Sequence, residues 1–205
     1  MKRSAHFTAT TRGFTLIELL VVISIIALLV TGAFGAYGFV MEKAKKSDAQ
    51  AACMAVYNAV DQYHTEYDYL PQPSSYAKGS DTTSDTSPEE NLVNILLGED
   101  MEQNSKKTNF LGDIKEASTK NGKPMGGMVR LAENNSLVDP WGNYYKVLID
   151  SDLDGKLMNP NQIDAANGRS ELHKQCIVYA IGKDNDEKTW KDNAGSWDFT
   201  ASNEQ

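Results

Sequence analysis

Two hydrophobic patterns follow one another along the first part of the chain. From Leu19 to Met41 no residue is charged, and apolar side chains fall on every face of a helix. Such an all-round apolar helix is typical of a membrane span or a buried bundle. These 23 residues are enough to cross a hydrocarbon core of about 30 Å at about 1.5 Å per residue. The pattern predicts a membrane segment.

The second pattern is a stripe of apolar residues at three- and four-residue spacing, which predicts an amphipathic helix. Charged residues occupy the other faces, and Pro71 and Pro73 end the pattern. We therefore expect one helix from about Phe14 to about Tyr67, with its second half under a small head. The stripe consists of Ala49, Ala52, Cys53, Val56, Val60, Tyr63 and Tyr67.

The rest of the chain carries weaker patterns. Residues 71–88 are rich in Ser, Thr and Asp, which predicts a mobile surface loop. A short helix follows at 89–97 with Ser87 or Asp85 as its cap, and residues 144–149 and 175–181 have the composition of strands. A long helix packed on a small antiparallel sheet is an α+β fold, which is the predicted class. In the weakly patterned stretch 104–135 the expected core contacts are Phe110, Leu111 and Ile114.

The N-terminal end of the apolar segment combines a basic flank, a glycine and a single carboxylate. Arg12 and Gly13 precede Phe14, and Glu18 stands directly before the uncharged run. A carboxylate in hydrocarbon costs roughly 3 kcal/mol or more and is usually functional, so Glu18 needs a partner. Cleavage after Gly13 would remove the leader and keep the apolar segment, unlike an ordinary secretory signal. The alternative is a plain signal anchor in which Glu18 has no role.

The segment Gly13-Phe14-Thr15-Leu16-Ile17-Glu18, with its apolar continuation, resembles the N-terminal signal of type IV prepilins and type II secretion pseudopilins. The resemblance extends from Arg12 to about Met41. It implies that a prepilin peptidase cuts between Gly13 and Phe14 and methylates the new amine of Phe14. The amine of an incoming subunit would then neutralise Glu18 of its neighbour and set the axial register of a helical filament.

The same resemblance implies a pilin-like fold with three parts. Residues 1–13 are a cytoplasmic leader that is removed, residues 14–41 are the transmembrane and assembly half of the helix, and residues 42–205 are a periplasmic or extracellular head. The expected location is the inner membrane, crossed once, with the N-terminus in the cytoplasm and the head in the periplasm. The assembled filament would lie in the periplasm or at the cell surface.

Asp139-Pro140-Trp141-Gly142-Asn143 resembles a signature of the major pseudopilin of type II secretion, with Tyr144 where that signature has proline. Asp-Pro and Gly-Asn favour turns, and Trp141 offers a large apolar side chain to the core. One interpretation of the motif is a subunit contact, and the other is a turn with a core tryptophan. The resemblance favours a pseudopilin over an adhesive pilin.

Two acidic loops are candidate calcium sites. Asp150, Asp152 and Asp154 alternate before a glycine, as in the first half of an EF-hand loop. The twelfth position is Asn161 in place of glutamate, so a solvated acidic turn is the alternative. The second loop rests on resemblance: Asp184 and Asp192 match the calcium loop of major pseudopilins, although Asn185 and Lys188 replace its glycines. Calcium in either loop would be structural.

Composition narrows the function further. The net charge is −8 and becomes −11 without the leader and its three cations, which argues against a nucleic-acid-binding surface. No zinc spacing, phosphate loop or nucleophile motif stands out, which predicts that the protein is not an enzyme. Cys53 and Cys176 either form a disulfide where the sheet meets the helix or stay buried free thiols.

Together these features predict a structural subunit of a type II secretion pseudopilus, assembled into a helical filament that promotes protein export. The expected partners are prepilin peptidase, further copies of the chain, other pseudopilins, the inner-membrane assembly platform and the membrane. The first alternative is a type IV pilus subunit for adhesion, motility or DNA uptake. The alternative of another class is a membrane-anchored envelope binding protein or enzyme that never assembles. Replacement of Glu18 by alanine tests this last alternative, because an anchor would tolerate the change and a pilin-like subunit would lose assembly or register.

Overall fold

The computed structural model describes residues 14–199, without the side chains of residues 32–36. The predicted leader, with Gly13, lies outside the described residues. The chain divides into two compact units, with the boundary between Glu42 and Lys43. Across the described part of the chain, no helix has the combination of length and apolar character that crossing a membrane requires.

Helix α1 runs from Leu16 to Tyr67, which confirms the predicted long helix. It ends where the apolar stripe ends. Asp68 closes it, with a left-handed backbone φ of 61° and an N–H that donates to His64 O at 2.8 Å. The helix therefore stops before Pro71 rather than at it, because a residue with positive φ ends the helical hydrogen-bond pattern first.

The second half of α1 buries its apolar stripe in the main hydrophobic cluster of the head. All seven predicted stripe residues belong to this cluster or pack against it, and Ala59 joins them. The buried face fixes this part of the helix to the sheet, since apolar area removed from water is the main stabilising term. The fully buried members are Ala49, Cys53, Val56, Ala59, Val60 and Tyr63.

Four strands form the principal sheet, in the order β1-β6-β9-β10 and antiparallel throughout. The predicted strands at 144–149 and 175–181 correspond to β6 and β9 and are confirmed within two residues. A long helix on a small antiparallel sheet confirms the predicted pilin-like α+β architecture. The bounds are β1 Thr82–Asp85, β6 Lys146–Ile149, β9 Cys176–Ala180 and β10 Ala194–Gly195.

Strand β9 is buried on both faces, which explains its unbroken run of apolar residues. Val178 packs with the helix in the main cluster. Its neighbours Ile177 and Tyr179 point to the opposite face and pack in a second cluster with Trp190 and Trp197. The segment that follows β9 therefore covers the outer face of the sheet.

Short elements complete the head. Three small antiparallel sheets pair β2 with β3, β4 with β5, and β7 with β8. As predicted, Leu111 is buried in the main cluster, and Phe110 and Ile114 pack against it. The strands are β2 Ser118–Lys120, β3 Lys123–Met125, β4 Gly127–Val129, β5 Ser136–Val138, β7 Leu157–Met158 and β8 Glu171–Leu172. The helices are α2 Leu92–Leu97 and α3 Gln162–Ala166.

Residues 71–88 are more ordered than a surface loop. Strand β1 lies within them and forms one edge of the principal sheet. Glu90 Oε2 accepts hydrogen bonds from Ser75 N, Ser75 Oγ and Ser84 Oγ at 3.1, 2.6 and 2.9 Å. One carboxylate thus joins two points of the stretch, and the prediction of a loop throughout is wrong.

The helix predicted at 89–97 is divided in two. A 3-10 turn at Pro88–Glu90 is separated from α2 by Asn91, whose φ is 58°. The predicted caps are wrong as well, because the Ser87 side chain makes no capping hydrogen bond. Asp85 Oδ1 accepts from Ser87 N instead, at 2.9 Å. The left-handed residue, invisible to helical periodicity, sets the true start of α2.

Candidate functional site

The start of α1 forms a capping box, in which a side chain at each end of the first turn bonds the backbone of the other. Glu18 Oε2 accepts hydrogen bonds from Thr15 N at 2.8 Å and from Thr15 Oγ1 at 2.6 Å. Thr15 Oγ1 accepts in return from Glu18 N at 3.3 Å. The sequence prediction missed this role of Glu18, although the Thr-x-x-Glu spacing signals it.

The apolar side chains of the first half of α1 are exposed around this capping box. Phe14, Leu16 and Leu28 are 73%, 82% and 77% exposed. The hydroxyls of Ser24 and Thr31 form hydrogen bonds within the helix. Ser24 Oγ donates to Leu20 O at 2.8 Å, and Thr31 Oγ1 donates to Ala27 O at 2.7 Å. An apolar surface of this extent indicates an interaction surface rather than a free one.

The turn at 139–143 is organised by the carboxylate of Asp139. Its Oδ1 accepts hydrogen bonds from Trp141 N at 2.8 Å and from Asn143 N at 2.9 Å. Gly142 has a φ of 86°, and a Cβ there would lie 2.7 Å from Pro124 O. Asn143 Nδ2 donates to the carbonyl of residue 182 at 3.1 Å, which ties the turn to the loop after β9.

The same turn contributes to the core. Trp141 is half-buried and packs against the main cluster, as the interpretation of a core tryptophan requires. Asp139 is fully buried, and burial raises its pKa against the opposing hydrogen bonds from the backbone of Asn143 and Trp141. Asp139 Oδ2 has no hydrogen-bond partner among residues 14–199. The turn is therefore a partly buried structural element in which one oxygen of the buried Asp139 carboxylate has no hydrogen-bond partner among the described residues.

Three carboxylates converge beside the end of β6. Asp81, Asp150 and Asp152 each place an oxygen within 4.8 Å of the others. Asp81 joins the group because β1 pairs Thr82 with Ile149 and so sets residue 81 opposite residue 150. The sequence prediction missed Asp81, since it treats residues 71–88 as a loop and gives them no strand partner.

Asp81 takes the place that the sequence assigns to Asp154. Asp154 Oδ1 accepts from Lys156 N at 2.8 Å and lies outside the converging group. Asn161, at the twelfth position, caps α3, and its side chain accepts from the backbone of residues 163 and 164. The position where an EF-hand has its glutamate is therefore a helix cap, and the loop departs from the EF-hand pattern.

The converging group suits a hard cation. Carboxylate oxygens are the preferred ligands of Ca²⁺. Asp81 Oδ1 is enclosed and has no hydrogen-bond partner within the described residues. Burial, followed by the charges of Asp152 and Asp150, raises the pKa of Asp81, and burial raises that of Asp150. A bound cation would relieve both the repulsion and the unpaired oxygen.

The second acidic loop is built differently. Asp192 Oδ2 accepts hydrogen bonds from Lys183 N at 2.6 Å and Asp184 N at 3.1 Å. Asp192 Oδ1 and the side chain of the fully buried Asn193 have no hydrogen-bond partner in the described range. Neither Asp184 nor Asp192 belongs to a group of three converging ligands among residues 14–199. Their assignment to calcium stays a prediction.

Both cysteines are buried free thiols. Cys53 Sγ donates to Ala194 O at 3.7 Å, and Cys176 lies in β9 opposite Ile149. Burial raises the pKa of both thiols well above the ordinary value. Of the two alternatives, the structure has the free thiols rather than the disulfide.

Comparison with known proteins gives one match. Residues 9–34 match the family model described as the prokaryotic N-terminal methylation motif. The matched range contains Gly13, Phe14 and Glu18 and the start of α1. Comparison with curated proteins and with solved structures found no match. The match concerns the N-terminal segment.

Proposed function

We propose that this chain, which carries the signature of type IV prepilin-like proteins including pseudopilins, is a structural subunit of a type II secretion pseudopilus. The motif makes it a substrate of prepilin peptidase that assembles with other pilin-like subunits. The observation that carries the proposal is the occurrence of this motif at the start of a 52-residue helix that packs on a small antiparallel sheet. The proposed role is structural and not catalytic.

Glu18 supports assembly through its exposed position. Its carboxylate accepts hydrogen bonds from Thr15 of the same chain. A donor from another subunit could replace Thr15 as the partner of this carboxylate. After cleavage behind Gly13, the amine of Phe14 on an incoming subunit would bind the carboxylate. The exposed apolar side chains beside it would be covered by lipid before assembly and by neighbouring helices after it.

We propose further that residues 14–41 anchor the subunit in the inner membrane, with the leader in the cytoplasm and the head in the periplasm. The methylation motif supports a membrane-anchored N-terminal helix. The uncharged run from Leu19 to Met41 supports the same location. The hydroxyls of Ser24 and Thr31 add to this, because they bond within the helix and leave no unsatisfied donor.

The turn at 139–143 supports the type II secretion role over the role of an adhesive pilus. Its sequence resembles that of the major pseudopilin. Asp139 accepts a hydrogen bond from the backbone of the turn itself, and Asn143 ties the turn to the loop after β9. Other pseudopilins and the inner-membrane assembly platform would be the partners in this role. We therefore expect the filament to serve protein export and not to extend from the cell as a surface pilus.

We also propose a structural calcium ion at Asp81, Asp150 and Asp152. The support is the convergence of the three carboxylates and the unpartnered Oδ1 of Asp81. The ion would hold the start of β1 to the end of β6 and so stabilise the ordered part of residues 71–88. It supplies binding energy only, and no reaction is assigned to it.

Deletion of the gene in the native cell tests the type II secretion role. The proposal expects specific exported proteins to accumulate in the periplasm, with restoration by the full chain supplied in trans. Normal secretion together with loss of surface filaments, adhesion, motility or DNA uptake would instead favour the type IV pilus. No change in either would favour an anchored protein that does not assemble.

Variants of Glu18 test the assembly mechanism. Glu18→Gln keeps an oxygen that can accept from Thr15 but removes the charge. It should still be cleaved and yet lose filament assembly, because it cannot neutralise an incoming amine. Thr15→Val is the matched control, since it removes the capping hydroxyl and keeps the charge. Normal assembly of Glu18→Gln would reduce Glu18 to a helix cap and contradict the pairing mechanism.

A further inference from the structure

The hairpin formed by β2 and β3, residues 118–125, stands apart from the core. The two strands pair only with each other within the described sheets, and every residue from Ser118 to Lys123 is exposed. An isolated two-stranded hairpin is marginally stable in water. This one touches the head beside Gly142 through Lys123 and Pro124, and its exposed residues are open to contact with another surface.

Local chemistry gives this hairpin a fixed shape. Asn121 and Gly122 at its tip have φ of 52° and 78°, the pair of positive angles that a type I′ hairpin turn requires. At its base, Ala117 N donates to Met128 O at 2.8 Å, and Met128 N donates to Lys115 O at 2.9 Å. The hairpin is thus a preorganised arm whose direction is set by the body of the head.

The stem of Lys123 is also held in place. A Cβ on Gly142 would lie 2.5 Å from Lys123 Cε, so the lysine crosses directly over this glycine. Lys123 Nζ is 3.5 Å from Asn143 Oδ1. The turn at 139–143 therefore positions the charge of Lys123 beside the arm.

Charge is distributed unevenly between the arm and the rest of the chain. From Ala117 to Leu131 there are three cations and no acid. Arg130 pairs with Glu99 and Glu116 of the same chain. Lys120 and Lys123 are therefore the charges of the arm itself. Residues 104–131 together contain six Lys or Arg and two Asp or Glu, whereas the rest of residues 14–205 contains 11 and 26. The arm is basic and the rest of the protein is strongly acidic. The charge of the arm is therefore complementary to that of a second copy of this chain.

We propose that the arm, residues 118–125, docks through Lys120 and Lys123 onto the acidic head of a second copy of this chain. This inference rests on the proposed filament, which brings many copies side by side. Processed chains with a net charge of −11 each repel when their heads pack closely, and contacts of opposite sign offset that repulsion and fix the register. A preorganised arm loses little conformational entropy on docking.

Charge reversal of the arm tests this contact in the full chain, expressed in the native cell. Lys120→Glu/Lys123→Glu should reduce cross-linked multimers in intact cells by roughly tenfold or more, since two attractions become repulsions. N-terminal processing and thermal melting should be unchanged. Lys78→Glu/Lys188→Glu, which makes the same change of charge at two exposed lysines, should assemble normally, as should Lys120→Arg/Lys123→Arg.

A photoactivatable benzoylphenylalanine in place of Thr119, an exposed residue in the middle of β2, identifies what the arm touches. The proposal expects an adduct of twice the chain mass, with the label joined to an Asp- and Glu-rich peptide of the second copy. An adduct with lipid or with a different protein would overturn it, as would unchanged multimers in the double glutamate variant. If the wild-type chain forms no multimers and keeps its leader, the proposed function fails together with this contact.

Discussion

Replacement of Asp81 by asparagine should change the stability of the head in opposite directions with and without calcium. Without the ion, three carboxylates lie within 4.8 Å of one another, and Asp81 Oδ1 has no hydrogen-bond partner among the described residues. Removal of one charge there relieves repulsion and breaks no hydrogen bond of that oxygen. With the ion bound, the same change removes a ligand.

The expected size follows from the linkage between binding and folding. Calcium sites of extracellular modules have Kd values of about 10⁻⁴–10⁻³ M, so about 10 mM Ca²⁺ is roughly 10–100 times Kd. Binding at that excess stabilises the native state by about 1.4–2.7 kcal/mol. Each kcal/mol raises the Tm of a domain of this size by about 2–4 °C, which gives a wild-type gain of about 3–11 °C. Asp81→Asn should lose most of this gain, yet melt no lower than wild type in chelator.

Scanning calorimetry of the full chain in detergent measures the effect, with chelator, Ca²⁺ and Mg²⁺ compared in parallel. Asp154→Asn is the matched control, because it removes the same charge from the loop that supplies Asp150 and Asp152 but lies outside the converging group. It should keep the full gain. An equal gain in Asp81→Asn and wild type would refute the reasoning, and loss of the gain in Asp192→Asn alone would move the ion to the second acidic loop.

Three further outcomes follow from buried groups. Burial raises the pKa of Asp139, so the native state binds the proton of this carboxyl group more tightly than the unfolded chain does. The wild type should therefore lose stability relative to Asp139→Asn as pH rises from about 3 to about 7, and denaturant melts measure this difference. Cys53 and Cys176 should react slowly with iodoacetamide in the native protein at pH 8 and both react after denaturation without reductant, whereas a disulfide would leave none reactive. Glu90→Gln weakens the acceptor of three hydrogen bonds and should cost about 1–2 kcal/mol, with faster protease cleavage within 71–88 than in wild type.

The elements that depend on periodicity were accessible from the sequence. The apolar stripe of α1 repeats at helical spacing, and the same residues pack in the main cluster. The run at 175–181 indicates a strand that is buried on both faces, as β9 is. Side-chain burial governs these elements, and the spacing of their apolar residues along the chain reflects it.

The candidate cation site depended on information that periodicity does not carry. Asp81 reaches Asp150 only because β1 pairs with β6 in one particular register, in which the paired residues are 61 to 67 positions apart along the chain. Thr82, Thr83 and Ser84 are too short a signal to establish that pairing. Local backbone geometry was equally hidden: the positive φ of Asn91 divides a predicted helix, and nothing in the neighbouring apolar pattern requires it.

The role of Glu18 was only half visible. Its place at the head of an apolar run indicates a functional carboxylate, and the methylation motif supports that interpretation. Its capping bonds with Thr15 show that the single subunit already gives this charge a partner. Assembly must therefore compete with a local interaction, which makes the charge-specific Glu18→Gln variant more informative than simple truncation.

The most direct test of the central claim is mass spectrometry of the N-terminal peptide from native membranes and from sheared surface filaments. Processing by prepilin peptidase should give an N-methylated peptide that begins at Phe14, and a pseudopilin should have this peptide in the membrane fraction. The same peptide concentrated in sheared filaments would assign the chain to a surface pilus. A chain that still begins at Met1 in both fractions would contradict processing by prepilin peptidase and, with it, assembly into any filament of this kind.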